Sequence, residues 1–96
     1  MNLKTESTDE LVICHLSGRL DTIASLELEP EIDKITDNGK KMEFDFHEVD
    51  YISSTFLRIC LKQYKTLGAG NFWIKALKPD IKKVFMIAGL EKLVKG

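Results

Sequence analysis

Three hydroxyl side chains stand in a row at Ser53-Ser54-Thr55, the stretch of this sequence best able to carry chemistry. Behind them Leu57, Cys60, Leu61, Tyr64 and Leu67 fall at helical spacing, and Gly68 closes the pattern, so the hydroxyls open a helix. Backbone N–H groups are unpaired there and the helix dipole is positive. A serine in that place either caps the helix or, if exposed, accepts a phosphate that the same N–H groups stabilise. The phosphate would add about −2 of charge, enough to abolish a protein contact without unfolding the domain. Counting about 100° per residue, Arg58, Lys62 and Lys65 lie within a quarter turn of Ser54. They form either a solvated helix face or a basic ridge for an acidic partner.

Other chemistry has weaker support. A hydrolase needs a nucleophile, a base and an oxyanion site, and the histidines, His15 in a strand and His47 just after one, belong to no catalytic motif. Gly68-Ala69-Gly70 lacks the lysine and the strand-to-helix position of a phosphate loop and reads as a helix end running into a turn. Cys14 and Cys60 sit in apolar runs with no CxxC spacing and no histidine at zinc-ligand spacing. They read as reduced core residues, with a Cys14–Cys60 disulfide as the alternative. No metal, cofactor or catalytic residue is expected.

The elements that must position the hydroxyl cluster follow from periodicity. A first strand at Leu3–Glu6 turns at Asp9-Glu10 into a largely buried strand over 11–16, ended by Ser17-Gly18. Asp21 stands where a helix cap belongs, before a face of Leu26, Leu28, Ile32 and Ile35. Pro30 predicts either a kink or a helix regular only from about Glu29. Met42, Phe44 and Phe46 alternate with Glu43, Asp45 and His47, a third strand, and Glu48 to Ile52 read as a connection to the hydroxyls. A fourth strand covers 71–76, with Phe72 and Trp73 on opposite faces. Pro79 opens a helix that Gly89 ends, and a short turn over 90–94 follows. Strands alternating with helices pair in parallel through right-handed crossovers.

Length and charge narrow the function further. Ninety-six residues hold one core, and 44% hydrophobic with 30% charged residues is the balance of a globular chain. A net charge of −1, from 14 basic and 15 acidic residues, gives no field for sequence-independent nucleic-acid binding. Neither a secretion signal nor a membrane span is legible, so the cytoplasm is the expected compartment.

The strings Ser17-Gly18-Arg19-Leu20-Asp21, Phe44-Asp45-Phe46, Val49-Asp50-Tyr51-Ile52-Ser53-Ser54 with Leu57-Arg58, and Ile87-Ala88-Gly89-Leu90, taken in order, resemble the STAS domain of bacterial anti-sigma-factor antagonists over essentially the whole chain. The resemblance implies an α/β fold of STAS type, a mixed four- to five-stranded sheet with helices packed mainly on one face, in one domain over residues 1–96. It also implies a partner switch. The antagonist binds an anti-sigma factor that is a serine kinase, frees the sigma factor, and is inactivated when the kinase phosphorylates a serine at this helix start.

The matching acceptor is Ser54, and the expected partner surface is Asp21, Ser53, Ser54, Thr55, Phe56, Arg58 and Lys62. Asp21 has the alternative role of a plain cap. Two positions depart from the family: Ser53 where Asp usually precedes the acceptor, and Phe56 where Gly usually follows it by two. The Phe56 ring either flanks the contact face or turns beneath the sheet edge. Either departure could change the partner, withdraw Ser54 from the kinase, or pass its role to Ser53 or Thr55. A homodimer is left open. Two rivals stand beside the switch: a STAS-type subunit docking constitutively on a membrane transport ATPase, and a small enzyme using Ser54 or a cysteine as nucleophile.

Overall fold

In the computed structural model, which describes residues 3–95, the alternation Met42/Phe44/Phe46 against Glu43/Asp45 builds a strand inside the sheet. The elements in chain order are β1 (Leu3–Ser7), β2 (Leu11–Leu20), α1 (Thr22–Thr36), β3 (Lys41–Ile52), α2 (Ser54–Leu67), β4 (Phe72–Lys75), α3 (Pro79–Ile87) and a 3-10 turn at Glu91–Leu93. Met1, Asn2 and Gly96, at the ends of the expected domain, lie outside the described residues.

Four strands run in the order β1-β2-β3-β4, with β1 antiparallel to β2 and the other neighbours parallel. Right-handed crossovers between sequential parallel strands put the helices on one face. Toward that face point Val12, Cys14, Leu16, Met42, Phe44, Phe46, Phe72 and Ile74, all buried. Register aligns Cys14 with Phe44 and Phe44 with Ile74, a row of buried side chains across the sheet. Phe44 and Phe72 meet edge to face at 4.9 Å, and the Phe46 ring lies 6.0 Å from Phe85 of α3, the offset geometry aromatic rings prefer.

Three boundaries correct the sequence reading. β2 does not end at Ser17-Gly18 but continues to Leu20, with register shifts at His15/Ser17 and Gly18/Arg19. Gly18 has φ +75°, so the glycine takes up a bulge without ending the strand. β3 likewise runs through Glu48 to Ile52, because Val49 and Ile52 are buried beside Gly18 and Leu20. α1 is continuous from Thr22 across Pro30. Proline frees the carbonyl four residues back, here Leu26, and both residues are exposed, so water can satisfy it. Leu26 itself is 55% exposed, off the buried face that Ser25, Leu28, Ile32 and Thr36 form.

Candidate functional site

Leu20 and Ile52 are register partners at the ends of β2 and β3, and the Ser53 N–H donates to the Leu20 carbonyl at 2.9 Å. Each strand leads directly into a helix, so α1 and α2 start side by side at one end of the sheet. Asp21 caps α1, its Oδ1 accepting from the Ala24 N–H at 2.9 Å. Ser53 caps α2, its Oγ accepting from the Phe56 N–H at 3.3 Å.

Buried Ser25 ties the two starts together. Its Oγ donates to the Asp21 carbonyl at 2.6 Å and lies 3.3 Å from Ser53 Oγ. With the Ser25 proton used on Asp21, the Ser53 hydroxyl donates to Ser25, and one chain of hydroxyls runs from the cap of α2 to the cap of α1.

The seven residues expected at the partner surface therefore separate. Asp21, Ser54, Thr55 and Arg58 reach solvent at this end, Ser54 and Arg58 as exposed residues and the other two half-buried. Ser53 is 7% exposed and occupied by capping, which takes it out of the surface. Phe56 is fully buried, its ring 6.1 Å from both Phe44 and Phe46. Of the two places open to that ring, the core is the one it fills, because the first turn of α2 lies directly over the Phe44–Phe46 pair.

Lys62, 38% exposed, is engaged within the chain. Its ammonium contacts Glu29 at 2.5 Å and Asp33 at 2.9 Å, both on α1, while Arg58 reaches Glu29 at 3.5 Å. The bond from Lys62 is the largest influence on Glu29 and holds its carboxyl below the usual range. Burial works against the Lys62 charge, but Glu29 and Asp33 outweigh it and raise its pKa. Below this pair Thr36 donates to Gln63 and Gln63 to Asp33. Two of the three ridge cations thus belong to a polar seam between the helices. Acidic residues at 29 and 33 opposite basic residues at 58 and 62, each pair one turn apart, are the signal that could have shown it.

Sequence reasoning also missed an apolar pair. Ile23 and Leu26, 72% and 55% exposed, stand on the first turns of α1 near the hydroxyl end. Leu26 lies about 160° around the helix from Leu28 at 100° per residue, which already separates it from the core stripe.

Both histidines lie on the face of the sheet that carries no helix. His15 and His47 each bond Asp45, at 2.8 and 3.1 Å, so neither ring is paired with a serine or cysteine. Cys14 and Cys60 are free thiols, both buried, which resolves their alternatives toward the reduced core. Among the described residues no helix is long and apolar enough to cross a membrane, and no group of three or more His, Cys, Asp or Glu is arranged to hold a metal ion.

A family model for the STAS domain matches residues 2–96. The chain belongs to the STAS domain family. Among its relatives, BtrV of Bordetella bronchiseptica, a candidate anti-sigma factor antagonist, is 33% identical over 92 residues, spanning 93% of this chain and 79% of its own. The anti-sigma factor antagonist SpoIIAA in its unphosphorylated form superposes with a TM-score of 0.84 at 22% identity, over 97% of this chain and 85% of its own. The Bacillus cell fate determinant SpoIIAA in the phosphorylated form gives 0.76 at 23%, over 97% and 88%. The STAS fold expected from the sequence is thus the observed one, with four strands.

Proposed function

We propose that this STAS domain is an anti-sigma factor antagonist whose binding surface is the end of the sheet where α1 and α2 begin, and that phosphorylation of Ser54 by a serine-kinase anti-sigma factor switches it off. The 33% identity to BtrV across nearly the whole chain supports the antagonist reading. The observation that carries the switch is the sorting of the three hydroxyls: Ser53 is buried in a cap, Thr55 is half-buried, and Ser54 is exposed at the first position of α2.

A phosphate on Ser54 sits beside the N–H groups of the first helical turn, with Arg58 one turn along. It displaces nothing buried, so its charge acts on the partner and not on the fold. Asp21 and Thr55 border the acceptor, and Ile23 and Leu26 supply apolar area for docking. Ser53 and Phe56 support the surface from beneath. This reading places the chain in the cytoplasm.

The test uses the full chain with each candidate anti-sigma factor kinase and ATP, read by peptide mass spectrometry and by calorimetric binding of wild type, Ser54→Ala and Ser54→Asp. Expected are a phosphate on Ser54 alone and tight binding by wild type and Ser54→Ala. Affinity should fall about 100-fold or more, near 3 kcal/mol, for the phosphorylated chain and Ser54→Asp. A partner that binds every form equally would mark a constitutive docking subunit, and the switch would be wrong.

A further inference from the structure

His15 stands on β2 between β1 and β3, and each of its ring nitrogens meets a carboxylate. Nδ1 is 2.8 Å from Asp45 Oδ2 on β3, and Nε2 is 3.1 Å from Glu6 Oε1 on β1. A neutral imidazole has one N–H and one lone pair, so it can donate to only one of the two. The imidazolium donates to both.

We propose that His15 is a proton-operated clamp on the edge strand β1: protonated, it bonds β1 to β3 across β2, and on losing its proton it releases Glu6 and loosens β1. Glu6 is the contact that gives way, because its bond is the longer one and its side chain is 69% exposed against 10% for Asp45. The remaining ring proton stays on Nδ1 and a lone pair faces Glu6. Apart from its ladder with β2, few contacts hold β1. It has one neighbour in the sheet, four of its five residues are exposed, and Leu3 is its one side chain packed against the core. Beyond the ladder, Lys40 reaches Ser7 Oγ at 3.2 Å.

The charged groups around His15 come from three strands. β1 brings Glu6 and Lys4, the latter its register partner. β3 brings Asp45, Glu43, His47 and Glu48, and β4 brings Lys75, whose ammonium lies 3.0 Å from Glu43. The Asp45 bond is the largest influence on His15 and raises its pKa, with burial opposing. For Asp45 burial is the largest single influence and favours the acid, yet the His47 backbone N–H and the two rings together keep its carboxyl below the usual range. Asp45 therefore stays charged while His15 titrates. A histidine whose pKa is higher folded than unfolded contributes stability that is complete below the unfolded value and is lost as pH rises through the folded one. β1 is tight in mild acid and loosens as pH rises through the folded value of His15.

Residue-resolved amide hydrogen exchange on the full chain from about pH 5.5 to 9, corrected for intrinsic rates, tests this beside NMR titration of both histidine rings. Expected is a fall in protection of the β1–β2 ladder with its midpoint at the His15 titration, about tenfold for each unit by which the Glu6 contact raises that pKa, while the β3–β4 ladder holds. Glu6→Gln and His15→Gln should each abolish the step, Glu6→Gln should also lower the His15 midpoint, and His47→Gln should leave the step in place. Protection independent of pH in the wild type, a step that survives Glu6→Gln, or one that follows His47 would overturn the clamp.

Discussion

Ser25 Oγ lies 3.3 Å from Ser53 Oγ, a contact between residues 28 apart in the chain, and through it the caps of two helices share one run of hydrogen bonds. Removing either hydroxyl takes one hydrogen bond from the other in a buried place. We expect Ser53→Ala to cost about 1–2 kcal/mol as a lost cap and Ser25→Ala about 1 kcal/mol. In urea denaturation the double variant should fall short of their sum by about 0.5 kcal/mol or more. Strict additivity would show that the two caps act separately.

Phe56 and Ser54 are two residues apart and should behave oppositely. Phe56→Ala opens a cavity against Phe44 and Phe46 and is expected to cost about 3–5 kcal/mol. Ser54→Ala removes an exposed hydroxyl and should change stability by about 0.5 kcal/mol or less. A mild Phe56→Ala would mean that the first turn of α2 can collapse onto the sheet.

The seam between α1 and α2 has an acid limit. Because Glu29 is held below its usual range, the stability it contributes is present above its unfolded pKa and disappears as pH falls through the lower folded value. Lys62→Met should lower stability by about 1 kcal/mol at neutral pH. The gap from wild type should close between about pH 5 and pH 3, and urea midpoints across that range measure it. A gap that persisted below pH 3 would locate the effect in lost packing of the lysine stem.

Burial pushes the Cys14 thiol up to about 12 and raises the Cys60 thiol as well. Since the thiolate is the reactive form, neither should react with a disulfide reagent at about pH 8 until the chain unfolds. Labelling at several urea concentrations should track global opening, and a thiol that reacts quickly in the native state would contradict its burial.

The strand and helix order was legible because Met42 to His47 of β3 alternate with a period of two and α2 keeps its apolar stripe. Reading failed where one residue type serves two purposes. Gly18 looks like a strand end and is a bulge; Pro30 looks like a break and is tolerated on a wet helix face. At the site, Ser54 could be picked out from its place before a helix, but a linear reading cannot tell a capping hydroxyl from an open one. That difference arises from Ser25 on another helix. The same holds for Lys62, whose partners Glu29 and Asp33 become neighbours once the crossovers bring α1 beside α2.

The pairing of Leu20 with Ile52 has a further consequence. Two helices that start abreast point their peptide dipoles the same way, and each adds about half a positive charge at its first turn. The polarity of this end comes from the direction of the backbone, in a chain whose side chains sum to −1. No proton can be lost from it, and any sequence that keeps those two strands ending side by side will carry it.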